Sequence, residues 1–291
     1  MHRFLLHNDD IRETGQNLVS PGQVGLLNGW GVFSTLRVSN GVLFAYERHF
    51  ARMRRDAELM RVPFPADPSW LETRLLRLVE ANAARNATVR VVVVRNRGGP
   101  FEGPGITRDF DLIAFSTDLK HWGPGVKLAL APHGRYAASR YAGAKILSWS
   151  QNLAWNEEAV SRGFDEVILL NERDEVSECT SANVFAVQGN NVWTPPLASS
   201  GCLPGITREL LIEEIHCPGV TIAERVLLPA DLEAADQVFV TSSTRDLLPV
   251  MLVEGLKVRQ SGAVLETLRA AFLGYRQRYV AARSSLACNK T

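Results

Sequence analysis

Apolar positions in the first 118 residues follow two different spacings. Alternating and continuous apolar runs predict strands at Val32–Val38, Val42–Tyr46, Thr88–Arg95 and Asp111–Ser116. Apolar residues at helical spacing predict two helices between these strands, Glu47–Met60 and Ser69–Ala84. The mixture indicates an α+β domain.

The chain after residue 125 again mixes short apolar runs with helical patterns. Strands are predicted at Val126–Ala131, Glu166–Leu170, Val184–Val187 and Gln237–Thr241. Helices are predicted at Gln151–Arg162, Thr207–Ile215 and Gly262–Arg283, with Gly163 as the C-cap of the first. The proline-rich stretch 195–204 is predicted to be a loop.

The two regions meet at TDLKHWGPG, residues 117–125, where glycine and proline predict a linker. At roughly 100–200 residues per domain, 291 residues suffice for two domains. We therefore expect an α+β protein with domains at 1–118 and 126–291 and a linker at 119–125. Ligand sites often lie where two domains meet.

Charge and apolar run length argue against several classes of protein. Lysine and arginine total 32 and aspartate and glutamate total 31, so no strong field favours nucleic acid or an anionic membrane. The longest apolar runs, such as VVVV at 91–94, are far shorter than the roughly 18 residues of a membrane helix. The amino terminus, MHRFLLHNDD, does not resemble a secretory signal.

The spacing of the cysteines and histidines does not indicate a particular chemistry. The four cysteines, Cys179, Cys202, Cys217 and Cys288, form no CxxC pair, and the six histidines form no cluster with them. We therefore expect reduced thiols in a cytoplasmic protein. A metal site is not expected.

Lysine is rare in this chain, with five lysines among the 32 basic residues. Lys145 lies in YAGAKILSW, among small and apolar residues. One interpretation is a packed stem with a solvated amine. The other is a desolvated amine able to form a Schiff base with a carbonyl compound.

Two segments are candidate phosphate sites. In GCLPGITREL, residues 201–210, Gly205 precedes Ile206 and Thr207 at a helix start, where exposed amides suit a phosphate. Thr207 as a plain N-cap is the alternative. The second segment is a polar loop, Thr241, Ser242, Ser243 and Thr244, which is either a phosphate cup or a simple turn.

Glu178 and Arg52 complete the set of candidates. Glu178, in ECTSANVF, is either a solvated loop carboxylate or the partner of a protonated ring nitrogen. Arg52, in ERHFARM, lies on a solvated helix face or binds a phosphate dianion. An amine, a carboxylate and a phosphate site together are what pyridoxal 5'-phosphate needs.

The ordered motifs resemble the fold-class IV pyridoxal-phosphate enzymes, which include branched-chain aminotransferases, D-amino acid aminotransferases and aminodeoxychorismate lyases. The resemblance covers about residues 20–255 and rests on GWGVFSTLRV (29–38), ERHFARM (47–53), AK (144–145), ExTSANVF (178–185), TPPLASSGCLPGITR (194–208) and VFVTSSTRDLLPV (238–250). It implies a small N-terminal α/β domain, a larger C-terminal α/β domain and a homodimer.

The resemblance also implies roles for single residues. Lys145 would hold the cofactor as an internal aldimine and transfer the proton at the substrate α-carbon. Glu178 would bind the pyridine nitrogen, and Leu203 would pack on the ring. The phosphate would be bound by Arg52, Ile206, Thr207, Ser242 and Ser243. The substrate pocket would include Phe33, Arg90, Trp149 and Thr244.

Departures from the subgroup patterns bear on the substrate. Phe33 replaces the carboxylate-binding tyrosine of D-amino acid aminotransferases, and the Arg-x-His pair of those enzymes is missing from RNRGGPFEG. Phe33-Ser34-Thr35 resembles the Phe-x-Thr of the lyases rather than the Phe-Glu-Gly of branched-chain enzymes. The tyrosine that branched-chain enzymes carry five residues after the lysine is Ser150 here. TPPL and LPGITR resemble branched-chain aminotransferases more.

The sequence therefore predicts an aminotransferase that moves an amino group from an amino acid, with branched-chain-like donors favoured, to a 2-oxo acid. An aminodeoxychorismate lyase that releases pyruvate is the alternative. A catalytically inert binding protein on the same scaffold is a second alternative.

Overall fold

The structure is a computed structural model that describes residues 1–288. The chain divides into two compact units. The first contains residues 1–120, the segment Ala144–Trp149 and the last helix from Arg278 onward. The second contains His121–Gly143 and Ser150–Gln277. The predicted domains were continuous in sequence, so the two later segments of the first unit are a difference from the prediction.

The first unit is built on a six-stranded sheet in the order β2-β1-β6-β5-β3-β4, counted within residues 1–288. The strands are β1 Phe4–His7, β2 Asp10–Glu13, β3 Gly31–Ser39, β4 Val42–Leu43, β5 Ala87–Arg95 and β6 Phe110–Asp118. The helices are α1 Val24–Asn28, α2 Tyr46–Leu59 and α3 Pro68–Ala81. All strand pairs in this sheet are antiparallel.

Strand β3 places its side chains alternately on two faces. Val32, Leu36 and Val38 belong to the core that α2 and α3 cover. Phe33 belongs to a smaller cluster on the opposite face, with Val92 and Val94 of β5. Both faces of the central strands are therefore covered, which explains the unbroken apolar run of β5.

The segment Ala144–Trp149 belongs to the first unit because it pairs with the start of β3. Phe33 N–H donates to the Lys145 carbonyl at 3.1 Å, and Leu147 N–H donates to the Gly31 carbonyl at 2.9 Å. A bridge between Val32 and Ile146 lies between these two bonds. The strand pairing thus fixes the backbone of Lys145 beside Phe33.

The second unit is built on an eight-stranded sheet in the order β12-β11-β10-β13-β14-β7-β8-β9, counted over the described chain. Its strands are β7 Val126–Ala131, β8 Glu166–Leu170, β9 Val176–Cys179, β10 Asn183–Gln188, β11 Asn191–Thr194, β12 Thr221–Glu224, β13 Gln237–Ser242 and β14 Asp246–Val253. Its helices are α4 Ser150–Ser161, α5 Leu197–Ser200, α6 Ile206–Glu213, α7 Pro229–Ala234 and the first part of α8, Val264–Cys288. The mixed content of both units confirms the predicted α+β class.

Some predicted elements are wrong in detail. The strand predicted at Val42–Tyr46 ends at Leu43, because Ala45 has a φ of 53° and Tyr46 already begins α2. The loop predicted at 195–204 contains the short helix α5. Strands β1, β2, β9, β11, β12 and β14 were not predicted from the sequence. Five of these have only four residues, too few for a clear alternation.

Among the described residues, no helix is long and apolar enough to cross a membrane. Cys179, Cys202 and Cys217 carry free thiols, as predicted. The side chain of Cys288 lies outside the described part of the structure.

Candidate active site

Lys145 is fixed at its backbone and half-buried at its side chain. Its N–H donates to Oδ2 of Asp56 on α2 at 3.0 Å. Its Nζ lies 4.6 Å from the ring centroid of Phe33 and 5.8 Å from that of Trp149. The two rings meet edge to face at 5.8 Å. The amine therefore lies beside the carbon atoms of two aromatic rings.

Arg90 shares these aromatic rings. It lies opposite Thr35 in the β3–β5 register, on the same face of the sheet as Phe33. Its guanidinium carbon is 4.0 Å from the centroid of the Phe33 ring and 5.5 Å from that of Trp149. Burial lowers the pKa of Arg90. Within residues 1–288 the guanidinium has no carboxylate or hydrogen-bond partner, so its positive charge is available to an anion.

Arg52 points into the first unit. Its side chain is 7% exposed, whereas the neighbouring Arg54 and Arg55 are exposed. Nη2 of Arg52 donates to Oγ of Ser34 at 2.9 Å. The solvated-face alternative for Arg52 is therefore wrong.

The structure brings Glu178 and Leu203 together in the second unit. Glu178 lies on β9, is 6% exposed and is not in a solvated loop, which corrects that alternative. One of its oxygens accepts from Nη2 of Arg135 at 2.7 Å, and the other accepts from Leu203 N–H at 3.1 Å. The carboxylate is therefore tied to the loop that leads into α6.

The start of α6 consists of a glycine followed by two buried residues. Gly205 is its N-cap, so no side chain caps the first amides, and the interpretation of Thr207 as the N-cap is wrong. Ile206 and Thr207 are the first two helical residues, and both are buried. A Cβ at Gly205 would collide with Oδ1 of Asn183. The same Asn183 donates from Nδ2 to the Leu203 carbonyl at 2.8 Å, which holds the loop in place.

A buried hydroxyl lies on the face of β13 that meets this loop. Thr241 is paired directly with Asn183, so the two side chains share one face of the sheet. Thr241 is 1% exposed, and its Oγ1 has no hydrogen-bond partner among the described residues. A buried hydroxyl without a partner costs stability. The hydroxyl and the uncapped amides of α6 therefore fit a phosphate group.

The polar loop after Thr241 is ordered by its own hydroxyls. Ser242 Oγ accepts from Arg245 N–H at 3.2 Å and lies 3.4 Å from Oγ1 of Thr244. Ser243, between them, is half-buried. Arg245 in turn pairs with buried Glu166 at 2.9 Å, which anchors the loop to β8. This loop is more than a solvent-exposed turn.

The predicted site residues thus fall into two sets, one in each unit. Lys145, Phe33, Arg90, Trp149 and Arg52 belong to the first unit, and Glu178, Leu203, Ile206, Thr207, Ser242, Ser243 and Thr244 belong to the second. Residues that sequence reasoning missed are Ser34, His49, Asp56, Arg135 and Arg245. Ser34, His49 and Arg245 lie within the motifs GWGVFSTLRV, ERHFARM and VFVTSSTRDLLPV, whereas Asp56 and Arg135 lie in no motif. These last two are recognised only by what they contact.

No group of three or more histidine, cysteine, aspartate or glutamate residues in the described chain is arranged to hold a metal ion. The donors described above are instead a primary amine, guanidinium groups, backbone amides and hydroxyls. Such donors suit an organic phosphate.

The sequence is similar to those of known proteins. Residues 31–253 match the family described as amino-transferase class IV. The chain is 29% identical over 268 residues to the branched-chain-amino-acid aminotransferase of Salmonella typhimurium, covering 84% of each chain. It is 27% identical over 255 residues to the D-alanine aminotransferase of Bacillus licheniformis, covering 86% of this chain and 88% of that one.

The fold matches a solved structure as well. The crystal structure of Escherichia coli branched-chain amino acid aminotransferase matches with a TM-score of 0.85 at 24% identity, covering 95% of each chain. The two-domain class IV fold predicted from the motifs is thereby confirmed. The chain belongs to the class IV aminotransferases, a family of transaminases that use pyridoxal 5'-phosphate.

Proposed function

We propose that this aminotransferase moves the amino group of an aliphatic, branched-chain-like amino acid to a 2-oxo acid, with Lys145 as the catalytic residue. The observation that carries the proposal is the amine of Lys145 beside the rings of Phe33 and Trp149, with the guanidinium of Arg90 over the same rings. An aromatic surface suits an aliphatic side chain. The likeness to the Salmonella branched-chain enzyme supports the same substrate class.

The surroundings of Arg90 suggest which 2-oxo acid accepts the amino group. A guanidinium on an apolar surface, with no carboxylate of the described residues paired with it, is an efficient binder of a ligand carboxylate. A dicarboxylic acceptor such as 2-oxoglutarate offers one carboxylate more than a branched-chain 2-oxo acid. We therefore propose that Arg90 binds the distal carboxylate of the dicarboxylic partner.

We propose cofactor ligands in each of the two units. Lys145 would attach the cofactor, and Arg52 would bind its phosphate. In the second unit the phosphate would be bound by Ile206, Thr207, Ser242 and Ser243. The fit of this set is supported by the uncapped start of α6 and by the buried hydroxyl of Thr241. Leu203 would pack on the ring, and Thr244 would border the substrate.

Each side chain has a task in the reaction. When bound, the cofactor supplies an aldehyde that links to amino groups and a pyridine ring that takes up electron density. Glu178 would keep a proton at the ring nitrogen, because a carboxylate stabilises the protonated form. Lys145, once its amine is released, would move the proton at the substrate α-carbon. Phe33 and Trp149 would exclude water from that amine.

A homodimer in the cytoplasm completes the proposal. The homodimer is supported by the resemblance to the family. The cytoplasmic location is supported by the free thiols of Cys179, Cys202 and Cys217.

The experiment is a panel of amino donors with 2-oxoglutarate and with pyruvate, run beside an assay for pyruvate release from aminodeoxychorismate. We expect fastest turnover with L-leucine, L-isoleucine or L-valine. Turnover of D-alanine alone would favour the activity of the Bacillus relative. Pyruvate release from aminodeoxychorismate without an acceptor would show the lyase instead, which the Phe33-Ser34-Thr35 pattern favours.

A further inference from the structure

The hydroxyl of Ser34 lies between Arg52 and His49 in the first unit. Oγ of Ser34 accepts from Nη2 of Arg52 at 2.9 Å and lies 2.7 Å from Nδ1 of His49. Ser34 is 0% exposed and His49 is 1% exposed. Ser34 lies on β3, whereas His49 and Arg52 lie one turn apart on α2. The three side chains therefore form a hydrogen-bonded chain between a strand and a helix.

The direction of each bond follows from the donors available. A guanidinium only donates, so Ser34 Oγ is the acceptor of the Arg52 bond. The hydroxyl has a single hydrogen, and its other partner in the described chain is Nδ1 of His49. Ser34 therefore donates to His49, and the ring carries its hydrogen on Nε2.

His49 is held neutral in this arrangement. Burial lowers the pKa of His49 well below its usual value, and the positive charges of Arg52 and Lys145 lower it further. A neutral ring accepts at Nδ1 without adding a positive charge beside Arg52. The chain of bonds is therefore satisfied only with His49 neutral and Arg52 charged.

We propose that Ser34 and His49 are positioning residues that hold the guanidinium of Arg52 in its phosphate-binding orientation and so raise the affinity for the cofactor phosphate. The inference rests on the proposed role of Arg52. His49 fixes the direction of the Ser34 hydroxyl, and Ser34 fixes one nitrogen of the guanidinium. A free arginine side chain loses rotamer entropy when it is ordered. Ordering it before the phosphate arrives removes part of that cost from binding.

The test is titration of the apo-protein with pyridoxal 5'-phosphate and, separately, with pyridoxal, which lacks the phosphate. One hydrogen bond to the guanidinium is lost in Ser34→Ala. We expect its affinity for pyridoxal 5'-phosphate to fall about three- to tenfold. Its affinity for pyridoxal should stay unchanged, because that probe does not use Arg52.

A matched control is Ser116→Ala in the same unit. Ser116 is as buried as Ser34 and likewise contacts a histidine ring and a nitrogen donor, Nδ1 of His2 at 2.9 Å and Nδ2 of Asn82 at 3.0 Å. Neither partner contacts Arg52. We expect Ser116→Ala to leave the ratio of the two affinities at the wild-type value. A change as large as that of Ser34→Ala would show a general loss of packing and overturn the proposal.

The double variant Ser34→Ala/Arg52→Ala tests whether Ser34 acts on phosphate binding through Arg52. In a protein that lacks Arg52, Ser34→Ala should add nothing to the loss of affinity for pyridoxal 5'-phosphate. An additional threefold loss in the double variant would show that Ser34 acts by another route and would overturn the proposal. Equal weakening of both probes in Ser34→Ala would do the same.

His49 is tested with two substitutions of different chemistry. Asparagine places an acceptor oxygen near the position of Nδ1, whereas leucine has none. We expect His49→Asn to keep most of the preference for the phosphorylated probe and His49→Leu to lose it about as Ser34→Ala does. Equal behaviour of the two variants would contradict the role of the ring nitrogen.

Comparison of Arg52→Ala with Ser34→Ala separates the role of Ser34 from that of Arg52. If Arg52→Ala loses affinity for the phosphorylated probe and Ser34→Ala does not, Arg52 binds phosphate without help from Ser34. If Arg52→Ala itself binds both probes as the wild type does, the proposed role of Arg52 is wrong, and the inference falls with it.

Discussion

The backbone N–H of Lys145 donates a hydrogen bond to Oδ2 of Asp56 at 3.0 Å. The Asp56 carboxylate is buried on α2, and its other oxygen accepts from the guanidinium of Arg55. Together with the pairing of Lys145 to β3, this bond fixes the segment that carries the amine. A catalytic group that is held at its backbone needs less reorganisation when it reacts.

Asp56→Ala should therefore weaken both the fold and the attachment of the cofactor. Loss of the acceptor should lower the free energy of unfolding by about 1–3 kcal/mol. The rate at which apo-protein links to pyridoxal 5'-phosphate, followed by visible absorbance, should fall as well. Asp165→Ala is the control, because Asp165 accepts from the N–H of Lys127 at 2.8 Å in the second unit. Equal attachment rates in the two variants would contradict the role of Asp56.

Glu178→Gln should lower kcat while the protein still binds its cofactor. Glutamine cannot keep the ring nitrogen protonated as a carboxylate does. Both carboxylate oxygens of Glu178 accept hydrogen bonds, one from Arg135 and one from Leu203. The NH2 group of the new glutamine would therefore face one of these two donors. Arg135→Ala separates the two effects, since it removes the ion pair and keeps the carboxylate. If Arg135→Ala lowers kcat as much as Glu178→Gln, the ion pair rather than the ring nitrogen explains the loss.

Arg90→Gln should discriminate between acceptors. A charge-assisted bond contributes about 1.5–3 kcal/mol, so the KM for 2-oxoglutarate should rise at least about tenfold. The KM for 4-methyl-2-oxopentanoate, which has no distal carboxylate, should hardly change. Arg95→Gln is the control, because Arg95 also lies over an aromatic ring, that of Trp30, on the same strand. Equal rises of KM for both acceptors would show that Arg90 does not select the dicarboxylic one.

The order of residue types along the sequence was enough to predict the family and the buried arginine. Contacts between residues far apart in the sequence were missed, because they depend on how the elements pack. The motif order predicted the family, and the His-Phe-Ala-Arg spacing selected the one arginine of its cluster that proves to be buried. The contact between Lys145 and Asp56 spans 89 positions and depends on how α2 packs beside β3. The bond between Arg135 and Glu178 arises in the same way. No local pattern encodes such pairs.

His49 gives the protein a specific dependence on pH. Burial, assisted by the charges of Arg52 and Lys145, lowers the pKa of His49 below 6.5 in the folded state. Below pH 6.5 the unfolded chain therefore binds a proton that the folded chain does not, and stability falls as the pH falls. The contribution of this residue approaches about 1.4 kcal/mol per pH unit. In His49→Asn, denaturant unfolding between pH 7.5 and pH 5 should show a shallower loss, and parallel curves would contradict this interpretation.

Borohydride reduction of the holoprotein, followed by peptide mass mapping, identifies the lysine whose amine carries the cofactor. Reduction makes the bond between the cofactor and its amine permanent. We predict that the modified peptide contains Lys145, and that Lys145→Ala yields no modified peptide and loses transamination by several orders of magnitude. Modification at Lys127 or Lys120 instead, or near-normal turnover in Lys145→Ala, would contradict the account.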